Sequence, residues 1–130
     1  MQDNEVGELV LGYALKVHKA LGPGLLESDY ETCLAHEIGK AGLEYERQLA
    51  LPVVYDGQRI DPGYRIDLLV ANRVVIEVKS VDKIVDVHRA QLLSYLKLGG
   101  FRVGYLLNFN VALMKSGIVR LVNGYEREAQ

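Results

Sequence analysis

The sequence lacks the features that mark several large classes of protein. It contains one cysteine, Cys33, which excludes an intrachain disulfide framework and a multi-cysteine zinc site. No apolar run reaches the roughly 18 residues that would span a bilayer. The acidic start, MQDNEVGEL, is unlike a secretory signal. We therefore expect a soluble, cytoplasmic protein with no membrane partner.

An excess of basic charge is also missing. The chain has 15 Lys and Arg residues against 17 Asp and Glu residues, a formal net charge of −2. Non-specific affinity for DNA comes mainly from Lys and Arg that neutralise phosphates, so this count argues against a protein that coats nucleic acid. It does not exclude a local basic groove. The 49% of hydrophobic residues in 130 predict one packed domain over residues 1–130.

Hydrophobic spacing predicts two helices at the start of the chain, over about 6–21 and 25–40. The first places Leu9, Tyr13, Val17 and Leu21 at near-helical spacing. The Gly-Pro-Gly at 22–24 then ends that helix. Because these glycines follow a helix and not a strand, they are not a dinucleotide-binding fingerprint, and we expect no cofactor of that kind.

The remaining elements predict an α/β domain. Strands are expected over 49–55, then briefly over 58–60 before Pro62-Gly63 breaks the run, and over 64–70 and 73–79. Asp56-Gly57 predicts a tight hairpin turn between the first two. A helix over 86–98 and strands over 101–109 and 118–122 complete the order α-α-β-β-β-α-β-β. This order predicts a mixed sheet with helices packed on its faces.

The hairpin YRIDLLVANRVVIEVKS carries an acid in each of two largely apolar strands. A turn centred on Asn72 places Asp67 and Glu77 opposite each other, with Cβ atoms about 4.5–5.5 Å apart. Two such carboxylates repel by roughly 3 kcal/mol at an effective dielectric of ~20, and burial adds a desolvation cost. Either one carboxylate is protonated or a cation lies between them. Oxygen ligands of this kind suit Mg²⁺ or Mn²⁺ and not zinc.

Lys79 lies two residues beyond Glu77 and therefore shares its face of the strand. Its ammonium group could neutralise part of the charge or act beside a metal-bound reaction centre. The alternative is a partly exposed sheet face that carries a salt-bridge cluster of Asp67, Glu77 and Lys79. A slip of one residue in register would move Asp67 to the other face and remove the metal interpretation. The spacing alone leaves both interpretations open.

The helix after the hairpin supplies further polar groups. Gln91 and Tyr95 are four residues apart and share one face, although a core-edge tyrosine and a solvated glutamine explain them more simply. Four basic residues in this region could contact phosphates: Lys83, His88, Arg89 and Lys97. The alternative is that they form a solvated helix face, and we prefer that alternative for Lys97.

Glu27 lies at the start of the second predicted helix, where the helix dipole favours an acid without any function. It also lies at the edge of the stripe formed by Tyr30, Leu34 and Ile38, so it could join the acids of the hairpin. Glu37 falls on that stripe as well, which weakens the inference.

Together these residues resemble the PD-(D/E)xK nuclease superfamily. The resemblance runs from about residue 22 to 123 and rests on Asp67, Glu77-Val78-Lys79 and Gln91-x-x-x-Tyr95 in this order. Gly24-x-x-Glu27-x-x-Tyr30 also resembles the pattern that names the GxxExxY family, a group within the superfamily. The proline of the superfamily name is absent, since Arg65-Ile66 precede Asp67, but that position is loose. The resemblance implies a restriction-endonuclease-like core, a mixed β-sheet flanked by helices.

The resemblance also implies the roles of the central residues. Asp67 and Glu77 would bind Mg²⁺ or Mn²⁺, with the carbonyl of Val78 as a further ligand. Lys79 would stabilise charge or position the attacking water. Glu27 would be the catalytic acid from the preceding helix.

Substrate and supporting residues are implied in the same way. Gln91 and Tyr95 would match the extra motif of RecB-like and phage lambda exonuclease-like members, which supports the metal site and the substrate. Arg89 and His88 lie beside that motif and are candidates for contacting the substrate.

The leading hypothesis is therefore a Mg²⁺-dependent nuclease that hydrolyses phosphodiester bonds in nucleic acid, with DNA as the expected partner. The alternative is a non-catalytic nucleic-acid-binding or protein-assembly module that keeps the nuclease fold. Near-neutral charge and small size favour the alternative, whereas the intact set of Asp67, Glu77 and Lys79 favours catalysis. A chain this short also leaves open a homo-oligomer in which a second copy helps to enclose the substrate.

Overall fold

The computed structural model describes residues 1–124, except for the side chain of Pro62. Within these residues, three helices and five strands follow one another in the predicted order α-α-β-β-β-α-β-β, with one short 3₁₀ turn added before the last strand. Their bounds are α1 Asp3–Leu21, α2 Glu27–Lys40, β1 Tyr45–Tyr55, β2 Gln58–Val70, β3 Val74–Lys79, α3 Asp86–Gly99, β4 Val103–Asn108, the 3₁₀ turn Met114–Gly117 and β5 Ile118–Val122.

The strands form one mixed sheet in the order β1-β2-β3-β4-β5. Neighbours are antiparallel except β3 and β4, which run parallel and are joined by α3. Residues of α1 and α2 pack in one buried cluster against the sheet, and residues of α3 pack in a second. The predicted fold class, a restriction-endonuclease-like mixed sheet flanked by helices, is confirmed. Within residues 1–124, no helix is both long and apolar enough to cross a lipid bilayer.

The buried face of α1 overlaps the set of residues predicted from spacing only in part. The helix buries small side chains, Val6, Val10 and Ala14, whereas Leu9 is 38% exposed and Leu21 is 41% exposed. The reason lies in Tyr105 on β4, because a Cβ added to Gly7 would lie 2.4 Å from its hydroxyl oxygen. Only a face of small residues lets α1 approach the sheet this closely. Hydrophobic spacing of the larger side chains therefore predicted the helix correctly, and Val17 of that set is buried, but Leu9 and Leu21 at its two ends are exposed.

The hairpin of β1 and β2 is longer than predicted. β2 runs without interruption from Gln58 to Val70, so the expected break at Pro62-Gly63 is wrong. The pairing instead accommodates this position by a register shift between Leu51 and Val53. A Cβ on Gly63 would lie 1.9 Å from the carbonyl oxygen of Leu51, so a residue without a side chain lets the two strands continue past each other.

The turn between β2 and β3 sets the register that matters for the acids. Ala71 and Asn72 have φ values of 54° and 55°, so they occupy the left-handed region at the turn. Beyond it, Val70 pairs with Val74 and Leu68 pairs with Ile76. This register brings position 67 opposite position 77, as the turn centred on Asn72 predicted.

Candidate active site

The backbone ladder between β2 and β3 stops at the two acids. Its last pair is Leu68 with Ile76, and beyond that point carboxylates take the place of carbonyl groups. The backbone N–H of Asp67 donates to Oε2 of Glu77 at 2.9 Å, and the backbone N–H of Val78 donates to Oδ2 of Asp67 at 2.8 Å. The remainder of β2 pairs with β1, so the pairing of β2 with β3 ends at the two acids.

Both acids are held where ionisation is unfavourable. Glu77 is only 5% exposed, and its pKa is raised from 4.5 to about 8, first by burial and then by the charge of Asp67. Burial also raises the pKa of Asp67, and the charge of Glu31 adds to the effect. The hydrogen bond from Val78 and the charge of Lys79 oppose the rise. A cation bound beside these groups would relieve the same cost.

Glu31 on α2 is a third acid at this place, and sequence reasoning missed it. It is 6% exposed, and Arg47 on β1 donates to its Oε2 at 3.0 Å. The side-chain amide of Gln48 donates both to Oε1 of Glu31 at 2.9 Å and to Oδ1 of Asp67 at 3.3 Å. Gln48 therefore links the acid of α2 to the acid of β2.

Glu27 does not occupy the place that the sequence predicted for it. It is exposed at the first residue of α2 and lines a surface depression with Ser80, whereas Glu31 lies one helical turn further along. Positions four residues apart share a helix face, so the sequence contained the signal for Glu31. Which of the two acids is buried depends on how α2 is placed along the sheet. Helical periodicity does not determine that placement.

The loop before α2 explains why the motif around Glu27 ends in a tyrosine. The hydroxyl of Tyr30 donates to the carbonyl of Gly22 at 2.5 Å and accepts from the N–H of Leu25 at 3.1 Å. Its ring stacks on Phe109 with centroids 4.5 Å apart. Ser80, just after β3, donates to the carbonyl of Leu25 at 2.7 Å. These contacts fix the start of α2 to the end of β3 and so fix Glu31 relative to Glu77.

Lys79 lies at the end of β3, half-buried, on the same face as Glu77. Its charge lowers the pKa of both Asp67 and Glu77, which places the ammonium group within electrostatic range of the acids. It forms no salt bridge with a residue in the described part of the chain. The alternative of a tight salt-bridge cluster is therefore not what the structure shows.

The two predicted residues of α3 have different environments. Tyr95 is buried, and its pKa is raised to about 12 by burial and then by the charges of Glu77 and Asp67. Its ring is tilted against Tyr64 of β2, with centroids 5.3 Å apart. Gln91 is exposed one turn earlier on the helix.

The basic candidates lie around the start of α3. The Nδ1 atom of His88 accepts a hydrogen bond from the N–H of Val85 at 3.0 Å, so this side chain caps the helix. Arg89 and Lys83 are exposed and have no hydrogen bond to another side chain within residues 1–124. Arg65 on β2 donates to the carbonyl of Gln48 at 3.2 Å.

The donor chemistry of this cluster fits a hard divalent cation, since Asp67, Glu77 and Glu31 offer only carboxylate oxygens. In the described part of the chain, however, no three His, Cys, Asp or Glu side chains are arranged so that they could hold one metal ion. The hydrogen bonds given above explain this geometry, because they turn the carboxylates towards backbone N–H groups and towards the amide of Gln48. A cation at this place would compete with those hydrogen bonds for the same carboxylate oxygens.

Comparison with known families identifies the superfamily of the chain. The model of the PD-(D/E)XK nuclease superfamily matches residues 4–121. The chain therefore belongs to the PD-(D/E)XK nuclease superfamily, whose members generally use divalent metals. No curated protein and no solved structure matches it.

Proposed function

We propose that this protein is a Mg²⁺- or Mn²⁺-dependent nuclease that hydrolyses phosphodiester bonds in DNA. The observation that carries the proposal is the opposition of Asp67 and Glu77 at the break in the ladder, with burial raising the pKa of both. Such a pair destabilises a fold unless one carboxylate is protonated or a cation compensates the charge, and a bound cation is the remedy that gives the pair a function. Membership of the superfamily supports the same assignment. The pattern Gly24-x-x-Glu27-x-x-Tyr30 supports the GxxExxY group within it.

Asp67 and Glu77 would hold the ion, with the carbonyl of Val78 and the carboxylate of Glu31 as further oxygen donors. When bound, the ion would polarise the scissile phosphate and lower the pKa of a water molecule. The role that the sequence assigned to Glu27 passes to Glu31, because Glu31 is the buried acid of α2.

Lys79 would place its ammonium group next to the phosphate and stabilise the negative charge that develops there. Water would attack in line, so that a new P–O bond forms as the bond to the 3′ oxygen breaks, leaving a 3′-hydroxyl and a 5′-phosphate. Tyr95 would support the acids from α3, while the exposed Gln91 and Arg89 and the half-buried His88 would contact the flanking substrate.

The test compares wild type with Lys79→Ala on single-stranded, duplex, flap and branched DNA and on RNA, each in Mg²⁺ and in Mn²⁺. Lys97→Ala is the matched control, since Lys97 is an exposed lysine in the last turn of α3. We expect wild type and Lys97→Ala to cut DNA and Lys79→Ala to cut at least 100-fold more slowly. Cleavage by Lys79→Ala at the wild-type rate would contradict the proposal.

A second candidate is a non-catalytic nucleic-acid-binding or protein-assembly module. It is favoured by the formal net charge of −2, which gives little general attraction for phosphates. Under this alternative wild type cuts none of the substrates, and Asp67→Asn binds them as wild type does. A homo-oligomer stays a prediction, and light scattering of the purified protein with and without DNA tests it.

A further inference from the structure

We propose that Gln48 is a positioning residue that weakens cation uptake by bridging two of the acids in the metal-free protein. The inference rests on the proposed function, since it concerns the same cluster. Its amide nitrogen donates to one oxygen of Glu31 and to one oxygen of Asp67, at 2.9 Å and 3.3 Å. The other oxygen of Asp67 already accepts the N–H of Val78. The amide thus lies between carboxylates of two different elements, α2 and β2.

The backbone at Gln48 has an unusual conformation where it makes this bridge. Its φ is 53°, in the left-handed region that residues other than glycine seldom adopt. Its carbonyl accepts a hydrogen bond from the guanidinium group of Arg65 at 3.2 Å. On either side, Arg47 pairs with Leu68 and Leu49 pairs with Ile66, so position 48 stands opposite Asp67. A residue held in an unfavourable conformation opposite a site acid is a common sign of a functional constraint.

The chemistry of the bridge opposes a bound cation. An amide NH₂ group presents partial positive charge, and both of its contacts are to carboxylate oxygens that a cation would use. Glu31 and Asp67 can offer those oxygens to a metal only after the hydrogen bonds from Gln48 are broken. The bridge therefore stabilises the metal-free cluster and reduces its affinity for a divalent ion.

Removing the amide N–H donor of Gln48 should lower the stability of the metal-free protein and raise its affinity for a divalent ion. Methionine has nearly the length of glutamine but no N–H group, so Gln48→Met leaves the two acids without their shared partner. The variant should melt at a lower temperature than wild type without metal, and its Kd for Mn²⁺ should be about tenfold lower, as expected for loss of a competing hydrogen bond to a charged group. Gln58→Met is the matched control, since Gln58 is exposed at the far end of the same hairpin.

A second variant gives a change of opposite sign. Gln48→Lys places an ammonium group where the amide lies, so a fixed positive charge would neutralise the acids. We expect it to raise the melting temperature without metal and to raise the Kd for Mn²⁺ at least tenfold. This variant retains a partner for both acids, so it tests the proposal even where Gln48→Met does not fold.

The experiment titrates Mn²⁺ and Mg²⁺ by calorimetry and by thermal shift into wild type, both Gln48 variants and Gln58→Met, without nucleic acid. Tighter binding by Gln48→Met with weaker binding by Gln48→Lys supports the role of Gln48. Binding by wild type that neither variant alters overturns this inference alone and leaves the proposed function standing. Failure of wild type and Gln48→Met to bind either ion overturns both.

Discussion

Asp67 and Glu77 end the pairing of β2 with β3 and replace it with bonds to their own carboxylates. The N–H of Asp67 donates to Glu77 at 2.9 Å, and the N–H of Val78 donates to Asp67 at 2.8 Å. Each acid therefore helps to hold the strand that carries the other. The same two hydrogen bonds that complete the sheet also keep two carboxyl groups together at the point where the pairing of the strands ends.

Glu77 should make the metal-free protein less stable as the pH rises. Its pKa is about 8 in the folded protein against 4.5 for the unperturbed group, because burial and the charge of Asp67 disfavour ionisation. A group whose pKa is higher in the folded state stabilises the protein below its unfolded pKa, and that contribution is lost as pH rises through the folded value. Denaturant unfolding in EDTA should show the free energy of unfolding falling by a few kcal/mol between about pH 4.5 and 8.

Two controls identify the source of that change. Glu77→Gln cannot ionise, so its stability should change much less over the same range. Saturating Mg²⁺ should also reduce the fall in wild type, because a bound cation favours the ionised carboxylate. An equally steep fall in Glu77→Gln would assign the pH dependence to other groups.

Asp67→Asn should stabilise the metal-free protein while it removes the response to metal. The amide oxygen of asparagine can still accept the N–H of Val78. Its NH₂ group then faces Gln48 and loses that hydrogen bond, but the variant no longer repels Glu77 and Glu31, which we expect to be the larger effect at pH 8. At pH 8 we expect the melting temperature in EDTA to rise by a few degrees. Addition of Mg²⁺ should raise the melting temperature of wild type and leave that of the variant unchanged.

Asp61→Asn is the control for that substitution, since Asp61 forms an exposed ion pair with Arg59 near the tip of the hairpin. Exposed pairs of this kind contribute little to stability. Asp61→Asn should therefore melt and respond to Mg²⁺ as wild type does. A variant Asp67→Asn that melts below wild type in EDTA would show that the acid pair does not strain the metal-free fold.

Tyr95→Phe should leave the stability of the protein nearly unchanged and lower its cleavage of DNA. The ring of Tyr95 is buried against Tyr64, and phenylalanine keeps that ring, so the melting temperature should change by less than about 4 °C. Loss of the hydroxyl beside the acids should lower DNA cleavage several-fold. Tyr95→Ala loses the ring as well and should cost about 3 kcal/mol of stability. Full activity in Tyr95→Phe would reduce Tyr95 to a core residue.

Substitution of two glycines by alanine should change stability with opposite signs. A Cβ added at Gly63 would lie 1.9 Å from the carbonyl oxygen of Leu51. Gly63→Ala should therefore lower the free energy of unfolding by about 1–3 kcal/mol. Gly12 lies within α1 with open space around it, so Gly12→Ala should stabilise by about 0.5–1 kcal/mol. Chemical denaturation of both variants measures the difference. Similar stability in Gly63→Ala and wild type would mean that the hairpin tolerates a side chain there.

Much of the fold could be predicted from the sequence because its signals are local. The turn around Asn72 fixed the register of Asp67 and Glu77, and glycines and prolines marked the ends of the helices. Pro62-Gly63 predicted a break for the same local reason. The structure continues β2 because β1 shifts its register there, and that compensation depends on the partner strand.

The missing part of the candidate site depends on tertiary placement. Glu27 and Glu31 share a helix face, and only the packing of α2 on the sheet determines which of them is buried. Gln48 carries no motif, and its importance follows from its left-handed backbone and from the acids on two other elements. The inner face of α1 was likewise decided by Tyr105, which is distant in sequence.

The most direct test of the central claim is cleavage of one labelled DNA by wild type and Asp67→Asn, in Mg²⁺ and in EDTA, with Asp61→Asn purified in parallel. We predict that wild type and Asp61→Asn cut the DNA in Mg²⁺ and leave 5′-phosphate ends, that EDTA stops them, and that Asp67→Asn is at least 100-fold slower. Equal cleavage by Asp67→Asn, or no cleavage by wild type, would contradict the assignment of this carboxylate pair as the catalytic centre of a nuclease.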